Sequence, residues 1–211
     1  MEYTNAFGAE FREVQDRTHD GREVRVVVAT RVYATDRDDM WNALTDAERL
    51  PRWFLPIKGQ LEVGGRYQLE GNAQGSILRC DPPEALELTW EFGSHMSWVH
   101  VRLAQDGEGT RVTLEHLIPT DEASEEHWKQ YGPGAGGVGW DLSFLGLALH
   151  LDSGGQAIDR TRNDAWLASD AGKAFMRTSA KVWGEAHVNA GEDRQVAEAM
   201  ASRTAGFYTG E

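Results

Sequence analysis

Histidine, serine and carboxylate side chains are the groups of this chain that could move protons or attack a carbonyl, and their spacing decides which chemistry is open to them. His116 stands out. It follows Val112 and Leu114 at alternate positions of the run 110–118, and the two-residue period of a strand puts all three side chains on one face. An imidazole on an apolar face needs a hydrogen-bond partner. It is read either as a satisfied structural histidine near the sheet edge, or as a hydrogen bond to a ligand carbonyl or a general base. His100 and Arg102 share the opposite face with Trp98, which places them on the convex side of a sheet or at an interface. Asp141 sits near the start of a helix, where a carboxylate complements the positive end of the dipole.

Other chemistries lack their pattern. Gly132-Pro133-Gly134-Ala135-Gly136-Gly137 fits G-x-G-x-x-G, yet it follows a polar connection instead of a strand, so it reads as a sharp turn before a helix and not as a dinucleotide site. Glu125-Glu126-His127 and His150 show none of the spacings of a zinc site, and no serine stands in a nucleophile elbow. Neither metal nor cofactor is expected, and no catalytic set can be argued. Cys80 is the single cysteine, which excludes an internal disulfide.

The elements that must position these groups follow from periodicity. Residues 24–33 alternate with Val24, Val26, Val28 and Val32 on one side, the pattern of a half-buried strand. Met40, Trp41 and Leu44 form a helical stripe, and Thr45-Asp46-Ala47-Glu48 has the form of a capping box opening a second short helix that presents Leu50, Trp53 and Phe54 inward. Short alternating runs then follow at 58–62, 66–70, 74–80, 85–92, 97–103 and 110–118, separated by Gly-Gly, Gly-Asn, Asp-Pro-Pro and a glycine-rich hairpin loop, giving about six to seven strands in all. On one side of 85–92 lie Leu86, Leu88, Trp90 and Phe92. A polar link over 119–131 leads to 138–151, which is apolar on nearly every face and must be surrounded by protein. Two further helices are predicted over 169–188, with Phe175, Met176, Val182, Trp183 and Ala186 on its apolar side, and over 193–207.

This order of elements resembles the START-like superfamily, also called SRPBCC or birch-pollen-allergen-like, and within it the branch that includes the heat-shock protein 90 ATPase activator domain. The residues that carry the likeness are Trp41-Asn42-Ala43-Leu44-Thr45-Asp46 with Trp53-Phe54, then Val63-Gly64-Gly65-Arg66-Tyr67, Pro82-Pro83-Glu84-Ala85-Leu86 with Thr89-Trp90, and Thr110 through His116. The resemblance implies an α+β helix-grip fold, a curved antiparallel sheet around a long C-terminal helix with two short helices after the first strand. It implies a domain over 1–155, with its core at 24–151; the helices predicted beyond it form an extension over 156–211 that is longer than the superfamily minimum and packs on the domain or on a second subunit. In such a fold the gap between sheet and long helix is the binding site. The side chains expected there are Trp53, Phe54, Leu88, Trp90, Val99, Val101, Leu114, His116, Trp140, Phe144 and Leu147. The superfamily ranges over carriers, cyclases and co-chaperones, so three functions follow: a carrier or sensor of a small hydrophobic or aromatic ligand, an enzyme of the polyketide cyclase or dehydrase kind using His116, or an interaction module that stimulates a chaperone ATPase.

Composition narrows the partners. With 34 acidic against 21 basic residues and a formal net charge of −13, the surface repels phosphate backbones and anionic headgroups, so neither nucleic acid nor membrane is an expected partner. Residues 1–20 hold no apolar run of the signal-peptide kind, and a cytoplasmic location is expected. The stripe from Phe175 to Trp183 offers either docking on the domain or a homodimer, with the homodimer as the expectation.

Overall fold

A computed structural model describes residues 8–211; the first seven residues, part of the 1–20 stretch just considered, lie outside the described residues. The chain runs β1 (Phe11–His19), β2 (Arg22–Tyr33), α1 (Arg37–Thr45), a 3-10 turn (Leu50–Arg52), β3 (Ile57–Gly59), β4 (Arg66–Leu69), β5 (Gln74–Asp81), β6 (Ala85–Phe92), β7 (His95–Asp106), β8 (Gly109–Pro119), α2 (Glu122–Tyr131), α3 (Gly134–Asp152), α4 (Arg160–Ala168), α5 (Asp170–Asn189) and α6 (Arg194–Thr209). The strands form one eight-stranded sheet in the order β1-β2-β8-β7-β6-β5-β4-β3, antiparallel throughout.

The strand beyond the predicted six to seven is β1. It lies at the sheet edge, and only Val14 of its nine residues is buried, so charged side chains mask its period. The signal for it is Asp20-Gly21, both at positive φ, a tight hairpin turn between β1 and β2. β2 is buried on both faces instead of one: Val27, Ala29 and Tyr33 join the main core, while Val24, Val26 and Val28 pack with Trp98 and Leu117 on the other side. His100, on the face of Trp98, is buried as well. Phe92, placed inward by alternation, is 56% exposed at the end of β6.

α3 begins at Gly134, so the glycine-rich stretch supplies both the sharp turn before the helix, with Gly132 at positive φ, and its first turn, 134–137. Gly137 explains why glycine is needed there: a Cβ on it would stand 2.4 Å from the indole of Trp183 in α5, which is wholly buried. Two further helices occupy segments that read only as polar. α2 is capped by Asp121 and buries Ser124 and Trp128, whereas α4 buries no residue. The second short helix is a single 3-10 turn, and its lead-in is held by Asp46 instead of Thr45. The Asp46 carboxylate accepts from the N–H groups of Glu48 and Arg49 at 2.9 and 2.8 Å, while Thr45 donates back to the carbonyl of Trp41. α5 packs on α3 and β1 of the same chain, and α6 covers α5 and α2.

Candidate functional site

The apolar side chains gather in three clusters, and the site lies on the seam between two of them. One holds α3 against β2, β7 and β8, through Phe144, Leu147, Val99 and Leu114. Another holds the 3-10 turn against β4 and β5, through Leu50, Tyr67, Leu69 and Ile77. Trp53, Leu88 and Trp90 border both. Because α3 spans only part of the sheet, the halves do not close on each other, and a cavity of about 160 Å3 remains between them.

Ten of the eleven residues expected at the ligand line this cavity. Trp53 and Phe54 come from the chain after the 3-10 turn, Leu88 and Trp90 from β6, Val99 and Val101 from β7, Leu114 from β8, and Trp140, Phe144 and Leu147 from one side of α3. Spacings of three and four residues stack these last three on successive turns. Trp90 meets Trp140 edge to face at 5.1 Å between ring centres. The remaining wall escaped sequence reading. Ile57, Tyr67, Leu69, Ile77 and Cys80 from β3, β4 and β5 close the far side, and the alternation of Tyr67 with Leu69 was the available signal.

The walls carry no charged side chain among the described residues. The hydroxyl protons of the wall are already engaged: Thr45, Tyr67 and Ser143 donate to the carbonyls of Trp41, Thr89 and Gly139 at 2.7, 2.7 and 2.8 Å, and Trp53 Nε1–H donates to that of Ala43 at 2.9 Å. Burial pushes the Tyr67 hydroxyl and the Cys80 thiol up from their ordinary values, so both stay neutral.

His116 is the residue that does not line the cavity; it stands one layer behind it. β8 pairs with β2 on one side and β7 on the other, so His116 lies within the sheet and not near its edge. Trp140 Nε1–H donates to His116 Nδ1 at 3.2 Å, which leaves the proton on Nε2, donating to Ser97 Oγ at 2.8 Å. Ser97 Oγ–H in turn donates to the carbonyl of Trp90 at 3.1 Å. The chain of bonds thereby ties together two of the tryptophans that face the cavity, Trp90 and Trp140. His116 keeps some accessible surface, but protein surrounds it, and burial lowers its pKa to about 4. Both ring nitrogens are engaged, so the imidazole has no free lone pair with which to accept a substrate proton.

Asp141 is not a dipole-capping residue. It lies two turns into α3, wholly buried. It accepts from the backbone N–H of Ala9 at 2.7 Å, from Arg12 at 2.9 and 3.0 Å, from Trp183 Nε1 at 3.1 Å, and from Ser179 Oγ. It joins the residues before β1, α3 and α5, away from the cavity. Among the described residues, no three His, Cys, Asp or Glu side chains come together so as to hold a metal ion, and no helix is long and apolar enough to cross a membrane.

A bent antiparallel sheet gripping one long helix over an apolar cavity defines the START-like, or SRPBCC, class of proteins. Within it, the chain belongs to the family described as activator of Hsp90 ATPase homolog 1-like protein, whose pattern matches residues 34–152. The solution structure of CalU16 from Micromonospora echinospora is similar at 30% identity, covering 87% of this chain and 97% of that one with a TM-score of 0.69. The crystal structure of the same protein gives 29% identity over 82% and 97% of the two chains, with a TM-score of 0.61. Protein MLL2253 from Mesorhizobium loti shares the fold at 22% identity over 61% of this chain and 98% of its own, with a TM-score of 0.53. No curated protein matches the chain.

Proposed function

We propose that the protein holds a small, uncharged hydrophobic or aromatic molecule between α3 and the sheet, as a carrier or sensor. The observation that carries this reading is the chemistry of the cavity wall: aromatic and aliphatic side chains, no charge, and hydroxyls already paired with backbone carbonyls. A charged ligand entering it would lose its hydration without a countercharge, whereas an apolar ring loses nothing. The volume of about 160 Å3 is close to that of an engineered apolar cavity of about 150 Å3 that takes up benzene. One ring therefore fits the cavity as it stands, and a larger molecule requires the wall to move.

The test is quenching of tryptophan emission, with native mass spectrometry, against a panel of neutral aromatic and aliphatic compounds. Trp53, Trp90 and Trp140 all face the cavity, so saturable quenching with one ligand per chain is the expected result. Val101→Phe puts a ring into the same space and should weaken binding about tenfold or more while leaving the fold intact, since the added volume enters a void and not a packed wall. Failure of every compound to bind, or equal binding by Val101→Phe, would remove the reading.

Family membership supports a second reading, an interaction module acting on a chaperone ATPase. Its test is the rate of ATP hydrolysis by an Hsp90 chaperone with and without this protein; an unchanged rate removes it. A proton-transfer enzyme finds no support in the geometry, because His116 has both nitrogens engaged and a pKa near 4.

A further inference from the structure

Three cavity residues, Leu50, Trp53 and Phe54, belong to the short irregular run that leaves α1. A single 3-10 turn is a weak scaffold, so what holds this piece of wall are its side-chain and loop bonds. The first is Arg49. Its Nε donates to His150 Nε2 at 3.0 Å, and its terminal nitrogens reach Asp39 of α1 at 2.6 and 3.3 Å. The second is the strap 153–159 beyond α3: Ile158 N–H donates to the carbonyl of Arg52 at 2.7 Å, and Arg52 Nη1 donates to that of Gly155 at 3.4 Å.

His150 sits between the two. It is fully buried near the end of α3, and its Nδ1 lies 2.8 Å from the carbonyl of Gln156 in the strap. An arginine Nε always donates, so His150 Nε2 must accept, and the ring is the neutral tautomer donating through Nδ1. The geometry points to His150 as a latch on the cavity wall: neutral, it pins the Leu50–Arg52 turn and the strap to α3, and protonated, it releases them and opens the cavity further. This rests on the ligand-holding reading and supplies its regulation.

The sign follows from the groups around the ring. A proton on Nε2 would face the Arg49 Nε–H, donor against donor and charge against charge. Arg52 adds to the repulsion, and Asp39, itself paired to Arg49, opposes it. Burial first, then Arg49 and Arg52, lower the affinity of His150 for a proton, while the Gln156 carbonyl and Asp39 raise it, with a net lowering from 6.5. The closed form is therefore favoured above the ordinary histidine value and loses ground as pH falls below it.

Cys80 makes the latch measurable, since the only cysteine of the chain lines the cavity and is half-buried there, so that opening the wall raises its reaction rate above a basal value. The experiment is the rate of Cys80 modification by a dithiodipyridine without any ligand, divided at each pH by the rate in the urea-unfolded chain to remove the thiolate's own titration. The normalised rate should rise severalfold between pH ~8 and pH ~5, because the closed form loses its advantage as His150 takes up a proton over that range. His150→Gln keeps an acceptor for Arg49 and a donor for Gln156 but does not titrate, so its rate should stay within about twofold of the wild-type value at high pH. Arg49→Lys cannot span His150 and Asp39 together and should label faster at pH ~8. A flat wild-type profile, a wild-type rise in His150→Gln, or an unchanged rate in Arg49→Lys overturns the latch. Because no ligand is added, these outcomes leave the binding reading untouched, and a failed ligand panel leaves the labelling profile untouched.

Discussion

A neutral imidazole that accepts from one indole and donates to one serine cannot gain a proton without losing a bond. His116 is in that position, and its pKa of about 4 against an ordinary 6.5 makes the folded state sensitive to acid. The difference of about 2.5 units corresponds to about 3 kcal/mol. Because the folded value is depressed, this stability is present above 6.5 and is lost as pH falls towards 4. His116→Gln should therefore lose less stability than wild type over that interval, by up to about 3 kcal/mol, in urea unfolding followed at steps of pH. The other buried histidines titrate in both proteins and cancel. Equal pH slopes would show that His116 is not what acid attacks. The inward direction of His116 was legible from Val112 and Leu114; its partners were not, because Trp140 and Ser97 lie 24 and 19 residues away and reach it only through the fold.

At the scale of elements, periodicity served where one face is apolar and failed where burial is sparse or complete. β6, β7 and β8 declared their inner faces through alternating side chains, and most of the cavity followed from them. β1, α2 and α4 stayed hidden, since one, two and no buried residues respectively leave no period to read. The start of α3 was hidden for a different reason: glycine is a poor helix former, and the run 134–137 shows no preference for a helix until Trp183 is set against it. Gly137→Ala sets these two effects in opposition. Propensity alone favours alanine by about 1 kcal/mol. A Cβ at 2.4 Å from a fully buried indole cannot be accommodated without shifting α5, an overpacking cost of about 1–3 kcal/mol or more. Net destabilisation is the expected outcome, read from the urea midpoint; a stabilised variant would mean that α5 does not bear on α3 at this point.

The whole molecule is held by a contact that no local pattern announces. Asp141 reaches Ala9 and Arg12 across 132 and 129 residues of sequence, and Ser179 and Trp183 across 38 and 42. One carboxylate thus closes the chain around its own core, docking the C-terminal helices and the edge strand on the helix whose other face lines the cavity. Burying that charge is costly, and the cost is offset only while Arg12 and the three donors are in place. Asp141→Ala leaves Arg12, whose side chain is 9% exposed, without its countercharge. Truncating one partner of such a buried pair costs about 3–5 kcal/mol. Loss of the anchor should show first as separation of the extension, because α4 buries nothing that would keep residues 160–168 in place. Limited proteolysis should therefore cut Asp141→Ala between α3 and α5 under conditions in which the wild-type chain survives. Cleavage at the same rate in both proteins would show that the apolar packing of α5 on α3 suffices alone, and that the buried ion pair is not what fastens the extension to the helix-grip core.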